Sequence, residues 1–234
     1  MKDQLVFLAA GLSALGCNPV KVDALTKYSA LLLEKNQVMN LTAITDPFEV
    51  ATLHMLDCAA LSANLPQGVE SLADVGTGAG FPGLVVAILR PELAVTLLDP
   101  LEKRLKFIQE VVDALGLSNV TLLHIRGEDA GREPELRERF DVTTARAVAD
   151  LTVLGELCLP LTKPGGWFLP MKSVDSGGEL ETAKPFLGQL GGVVLDPLDY
   201  LIPGTAVTHR IWRVEKRRAT PDQFPRKWAR IKKK

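Results

Sequence analysis

Leu72-Ala73-Asp74-Val75-Gly76-Thr77-Gly78-Ala79-Gly80-Phe81-Pro82-Gly83 is the stretch that decides the fold. A short apolar run ends in three glycines at alternate positions, and an apolar helical stretch, Pro82–Leu89, follows. Strand, glycine turn and helix succeed one another within twenty residues. Glycine lets the backbone turn tightly and come close to a ligand. The spacing is G-x-G-x-G. The dinucleotide fingerprint G-x-G-x-x-G would need glycine where Phe81 stands, so a pyrophosphate binder fits poorly. An ordinary turn is the bland alternative for the glycines.

Downstream the same alternation continues. Apolar runs at Ser71–Val75, Val95–Leu98, Val120–His124, Asp141–Ala145, Gly166–Met171, Gly192–Leu198 and Thr208–Val214 read as seven strands. Helical stretches lie at Pro82–Leu89, Leu101–Leu115, Asp150–Leu161 and Gly178–Leu190. Strands alternating with helices imply a mainly parallel sheet with right-handed crossovers. The last two runs have no helix between them and read as an antiparallel hairpin at one edge. Upstream, residues 1–68 read as a helical extension: Leu5–Leu15, Val22–Asn36, and Pro47–Leu61 with Asp46 as N-cap. Residues 69–216 form an α/β, Rossmann-like domain, and 217–234 a basic tail.

With 234 residues, 47% hydrophobic, the chain is long enough to bury a core without staples. Cys17, Cys58 and Cys158 are isolated from one another, which disfavours a structural zinc site and points to a reducing compartment. His54, His124 and His209 are equally scattered. Net charge is −1, yet 11 basic and two acidic residues lie from Arg210 onward. An acidic body with a basic tail suggests a polyanionic partner; a solvated terminal strand is the alternative. Lys2 is cancelled by Asp3, and no A-x-A-like cleavage site follows, so no signal peptide is expected. The longest uncharged stretch falls short of a membrane span. A cytoplasmic protein without a membrane partner is expected, as a monomer.

The form D-x-G-x-G-x-G, from Asp74 through Gly76, Gly78 and Gly80, resembles the S-adenosylmethionine loop, and seven strands ending in a hairpin resemble the class I methyltransferase fold. Asp99 closes the second strand 23 residues after Gly76, near the offset at which an acid meets ribose hydroxyls. A helix N-cap is its alternative role. The loop Ile125–Asp129 would lie beside the adenine ring, with backbone of Gly127 and Glu128 reading its edge. Arg146 follows the fourth strand, at the carboxyl end where ligands bind in open α/β sheets. That strand carries Thr144-Ala145-Arg146-Ala147 rather than Asp/Asn-Pro-Pro-Tyr, unlike amino-directed adenine methyltransferases. Cys158 lies mid-helix among leucines, which disfavours a cysteine nucleophile for cytosine C5. An atom that is already nucleophilic, such as a ring nitrogen, remains.

Beyond these motifs the chain resembles the RsmG (GidB) family of bacterial small-subunit ribosomal RNA guanine-N7 methyltransferases. The resemblance is carried by Asn40-Leu41-Thr42, His54 with Asp57, the loop Asp74–Gly83, Asp99, Lys103-Arg104, Glu128, Thr144-Ala145-Arg146-Ala147, Met171-Lys172 and Phe224-Pro225-Arg226. It implies that Gly76, Phe81, Gly127, Glu128 and Arg146 contact S-adenosylmethionine. It implies that Asn40, His54, Asp57, Lys172 and Arg210 shape the site or touch RNA. The implied target is guanine 527 of 16S rRNA, free or in the small ribosomal subunit. Cys58 replaces the family's usual serine, and the tail continues from Pro225-Arg226 into Lys227-Trp228 rather than into a Gly/Pro-rich segment. Arg226 and Lys227 are the tail's candidate RNA contacts, and Trp228 and Phe224 either stack on bases or pin the tail. Guanine N7 loses no proton on attack, so positioning and electrostatics suffice, with Asp57 and Arg146 as the candidate catalytic residues. The rivals are a small-molecule methyltransferase, a binding module without turnover, and an NAD-dependent dehydrogenase.

Overall fold

The computed structural model describes residues 2–231. Helices α1 (Lys2–Ala14) and α2 (Val22–Asn36) open the chain. A third helical rod starts as α3 (Pro47–Glu49), becomes π-helical over Val50–Leu56 and ends as α4 (Asp57–Ala63). The Asp46 side chain caps it, accepting from the Phe48 and Glu49 N–H groups. The π-helical stretch is where the expected single α-helix departs from regularity.

The sheet then follows: β1 (Ser71–Val75), α5 (Gly83–Leu89), β2 (Ala94–Leu98), α6 (Glu102–Leu115), β3 (Val120–Leu123), α7 (Gly127–Ala130), β4 (Phe140–Thr144), α8 (Leu151–Cys158) and β5 (Thr162–Phe168). Next come β6 (Met171–Ser173), α9 (Gly177–Gln189), β7 (Gly192–Leu201), β8 (Thr208–Lys216) and α10 (Trp228–Ile231). Strands β3, β2, β1, β4 and β5 lie side by side in parallel, and β8 joins antiparallel to β5. The β7–β8 hairpin closes this end of the sheet.

Among the described residues there are eight strands rather than seven. The run Gly166–Met171 breaks at Leu169-Pro170, because proline has no N–H for the ladder. Its remainder, β6, pairs with Arg210 and its neighbours on β8, beyond the point where β5 pairs with Val214 and Glu215. The stretch read as a loop at Ile125–Asp129 contains the one-turn helix α7.

Both faces of the sheet are covered, as the near-continuous apolar strands require. One cluster joins Leu8, Leu12, Leu25 and Leu32 of the N-terminal helices to Leu84 and Val85 of α5 and Ile108 of α6. The other joins Leu154 and Leu157 of α8, Leu187 of α9, Phe168 of β5, and Phe224 and Ile231 near the C-terminus. The helical extension therefore shares its core with the sheet. Strand order reverses between β1 and β4, and a crevice opens at the carboxyl ends of those two strands. Among the described residues no helix is long and apolar enough to cross a membrane.

Candidate active site

The glycine loop leaves β1 with Gly76, Gly78 and Gly80 all at positive φ. Two of them explain the requirement. At Gly80 an added Cβ would lie 2.6 Å from the Tyr28 hydroxyl, which donates to the Ala79 carbonyl. At Gly78, with φ +62°, an added Cβ would meet nothing within 4 Å, so the backbone there faces open cleft.

The acids flanking this loop are both fully buried. Asp99 Oδ2 accepts from the Gly78 N–H at 2.9 Å and Oδ1 from the Leu101 N–H at 2.8 Å. Asp99 is not the N-cap of α6: that position is Leu101, without a side-chain cap bond, and Asp99 closes a turn onto the Leu101 N–H instead. Its Oδ2 also receives Arg104 Nη1 at 3.4 Å, which leaves Oδ1 as the oxygen with acceptor capacity for a ligand hydroxyl. Asp74 Oδ2 accepts from Thr77 Oγ1 and the Gly83 N–H. Its Oδ1 has no partner, and burial pushes its carboxyl up to about 6 despite those two bonds.

Behind the loop the rings of Tyr28, Phe81 and His54 form a stack, with centroids 5.3 and 4.5 Å apart. The Arg146 guanidinium lies 5.1 Å from the centroid of the Phe81 ring. Arg146 Nη1 donates to the Leu53 carbonyl and to Asp57 Oδ2, both at 2.8 Å, and Nη2 donates to His54 Nδ1 at 3.0 Å. A guanidinium only donates, so that last bond asks His54 Nδ1 to accept and puts the ring proton on Nε2, facing Thr42 Oγ1 at 2.8 Å; Nδ1 also lies 3.1 Å from the Leu53 carbonyl, a contact that needs the other tautomer. Burial, reinforced by the Arg146 charge, lowers His54 to about 4, so the ring is neutral near pH 7.

Asp57 is the hub. It is 1% exposed. Besides Arg146 it accepts from the Tyr200 hydroxyl at 2.7 Å and faces His209 Nδ1 at 2.8 Å. Burial pushes Asp57 up, but the His209 bond, the Arg146 charge and the Tyr200 bond outweigh it and hold the carboxylate below its ordinary range. His209 is raised in return, chiefly by its bond to Asp57. Two of the three scattered histidines thus converge on Arg146 and Asp57.

Three cavities run together here. The first, about 400 Å³, is lined by the glycine loop, Thr42, Asp99 and Arg104. The second, about 240 Å³, lies between Ile125, Arg126, Gly127, Glu128 and Trp228, and shares Gly76, Pro100 and Val148 with the first. The third, about 550 Å³, is walled by Asp57, Met171, Lys172 and His209, and shares His54, Arg146 and Ala147 with the first. Ala147 at this junction has φ +56°, a backbone strained for a side-chain-bearing residue. An exposed glycine backbone and the fully buried acid Asp99 beside it fit the amino-acid and ribose ends of S-adenosylmethionine, whereas Asp74 lines none of the three cavities and braces the loop through Thr77 and Gly83.

The candidate RNA contacts divide. Arg226 grips Glu156, which is 1% exposed, through Nε, Nη2 and its own backbone N–H. Arg210 pairs with Asp199 through two bonds of 2.6 and 2.7 Å and lies over the Trp212 ring. Both have intramolecular anchors that the charge count conceals. Lys172 lines the third cavity while bonded to the Ala149 carbonyl and paired with Glu179. Asn40 is exposed beside the cleft, whose wall is formed by Leu41 and Thr42 instead. Lys227 is exposed. Phe224 is buried edge-on to Phe186 and pins the tail, whereas Trp228 lines the second cavity. Lys232, Lys233 and Lys234 lie outside the described residues.

Sequence reasoning missed Asn36, whose amide bonds Leu41 and Thr42 and fixes that wall. It also missed Tyr28, Tyr200, His209 and Glu156. Their partners lie 51 to 152 residues away, and no local pattern marks them.

Comparison with known proteins places this geometry. Residues 21–194 match the family model described as rRNA small subunit methyltransferase G. The ribosomal RNA small subunit methyltransferase G of Clostridium perfringens (strain 13) is 44% identical over 218 residues, covering 93% of this chain and 91% of the relative. That of Lactobacillus johnsonii is 46% identical over 202 residues, covering 85% and 84%. In fold, the chain is similar to M. jannaschii TYW2 in complex with AdoMet, with a TM-score of 0.53 and 15% identity, covering 68% of this chain and 74% of that one. It is similarly related to an S-adenosylmethionine-dependent O-methyltransferase of Thermotoga maritima, with a TM-score of 0.53 and 16% identity, covering 81% and 73%. The glycine crevice, the reversal of strand order above it and the matched residues on both sides agree, and the chain belongs to the rRNA small subunit methyltransferase G family.

Proposed function

We propose that this methyltransferase transfers a methyl group to N7 of guanine 527 in 16S rRNA, with S-adenosylmethionine as its cofactor. The observation that carries the reading is the shared wall of Arg146, His54 and Ala147 between the glycine-loop cavity and the 550 Å³ cavity beyond it. A methyl donor in the first and a base in the second would meet at that wall.

The groups that would hold the cofactor are Asp99 at the ribose hydroxyls, Gly76 and Gly78 along the chain, and Gly127 and Glu128 at the adenine, with Asp74 bracing the loop from beneath through Thr77 and Gly83. When bound, the cofactor supplies a methyl group activated by a sulfonium centre. The protein's own residues hold the geometry. Arg146 commits three of its five N–H groups to Leu53, Asp57 and His54, which fixes its plane and leaves two donors for a ligand. Asp57 cancels the Arg146 charge and acts as a positioning residue. Neutral His54 has its Nδ1 lone pair engaged by Arg146, which suits a reaction needing no proton acceptor. The flat stack of Phe81 and His54 backs the junction. Orientation of this kind supplies on the order of 7–11 kcal/mol in favourable cases. The target nucleotide is extruded to enter the cavity, as enzymes acting on single bases require.

The test uses labelled S-adenosylmethionine with small-subunit RNA or intact subunits from a strain lacking the enzyme. Borohydride reduction and aniline treatment then cleave RNA at N7-methylguanine. A single cut at the guanine 527 position is expected. Incorporated label without that cut would refute the target atom, and no label on either substrate would favour a small-molecule substrate.

A further inference from the structure

The second cavity has one wall that does not come from the methyltransferase sheet. Val75, Gly76, Pro100, Gly127 and Leu157 belong to strand ends and crossovers, but Trp228 arrives from the C-terminal helix α10. Its position is built in. The Arg132 guanidinium donates to the Pro225 carbonyl at 2.6 Å, and Arg137 donates to the carbonyls of Phe224 and Thr220. Arg226 grips Glu156 in the next position. Anchors at Thr220 and at the three consecutive residues 224–226 end one residue before Lys227, so the chain is delivered to the cavity rather than left to wander. The Arg126 guanidinium lies over one face of the Trp228 ring, 5.6 Å from its centroid, so the other face is the one a base would meet.

We propose that Trp228 is a cofactor-binding residue, forming the outer wall against which the adenine of S-adenosylmethionine packs, so that cofactor occupancy and docking of the C-terminal arm support each other. The inference rests on the assignment of this cavity to the adenine ring. A flat apolar face next to a heteroaromatic base supplies stacking. The lining is mostly apolar: Val75, Ile125, Leu157, Val148 and Pro100 surround the ring. The coupling is reciprocal by thermodynamic necessity: if the arm strengthens cofactor binding, the cofactor strengthens arm docking by the same factor. Lys227 and Arg230 flank Trp228 in sequence, so a bound cofactor also steadies two cations of the arm.

S-adenosylhomocysteine is the probe, titrated calorimetrically into the full-length protein and three variants. Trp228→Ala is expected to bind about tenfold more weakly, within the range typical of a lost base–aromatic stack. Trp228→Phe, which keeps an aromatic face, recovers most of that loss. Asp99→Ala, at the ribose end, weakens binding independently of the arm. Tryptophan emission gives a second readout. Ligand changes the emission of the wild type but not of Trp228→Phe, in which Trp167 and Trp212 remain. Wild-type affinity in Trp228→Ala with weakened binding in Asp99→Ala overturns the proposal and leaves the cofactor site standing. Wild-type affinity in both variants overturns the cavity assignment itself. A Trp228→Phe variant no better than Trp228→Ala also overturns it, since stacking asks only for an aromatic face.

Discussion

Replacing Asp57 by asparagine and Arg146 by methionine, singly and together, tests whether the hub is a coupled unit. Asp57→Asn removes the anion and turns an acceptor toward a donor at the 2.8 Å contact with Arg146 Nη1. Arg146→Met leaves Asp57 buried at 1% exposure with only the Tyr200 and His209 bonds. Breaking a buried ion pair from one side costs roughly 3–5 kcal/mol, because the remaining charge has lost its counter-charge. For a chain of this size that corresponds to a fall in Tm of roughly 6–20 °C. The double variant removes both charges, so its cost should not exceed that of the worse single change, a coupling of about 3 kcal/mol. Equilibrium urea denaturation measures all four proteins, and an unchanged m value licenses the comparison. If the two single costs add to within about 0.5 kcal/mol, the residues are independent. The account of Asp57 as the group that holds Arg146 would then be wrong.

Three further outcomes follow from the same geometry. Gly78→Asp should abolish S-adenosylhomocysteine binding in calorimetry while the circular dichroism stays native, since a Cβ there meets no protein atom and the φ of +62° costs only about 1–3 kcal/mol; unchanged affinity would sink the loop assignment. His209 is raised above its ordinary 6.5 mainly by its bond to Asp57, so its stabilising contribution is present at low pH and fades as pH climbs through the raised value. Urea midpoints of the wild type should therefore decline above pH 6.5, and His209→Gln should flatten that decline; parallel profiles would exclude the pair. Truncation after Arg226 deletes Lys227, Arg230 and three terminal lysines. If about three of them meet phosphates, the slope of log affinity against log salt for small-subunit RNA should drop by roughly two to three, and an unaltered slope would place RNA binding elsewhere.

The glycine loop, the first four strands and the second helix were legible because their signals are local. Alternate glycines, apolar runs of strand length and the apolar stripe of residues 22–36 each sit within one window of sequence. The offset of Asp99 marked it as a candidate; it lines the glycine-loop cavity and holds the Gly78 backbone. The basic tail was legible only as charge. Its sum counts Arg226 as an arm cation, whereas Glu156, 70 residues upstream, engages it. The π-helical turn carrying His54 left no trace in a pattern that fits an ordinary helix equally well. Asp57 was legible as a candidate but not as a buried hub, because the tyrosine and histidine that bond it arrive 143 and 152 residues later.

Those separations also order the assembly of the enzyme in time. The ribosome delivers Asp57 early, and at roughly 5–20 residues per second its last two partners emerge many seconds later. The glycine loop and parallel strands β1 to β4 can pair before then, since each contact among them closes a shorter loop. The hub cannot, because Tyr200 and His209 belong to the final hairpin. A nascent chain halted before β8 would carry a nearly complete crevice with Arg146 and Asp57 not yet locked by that hairpin. The lock on Asp57 therefore waits for one of the latest long-range pairings in the chain, with only the anchors of the C-terminal arm to follow, and long-range pairing is the slow part of folding.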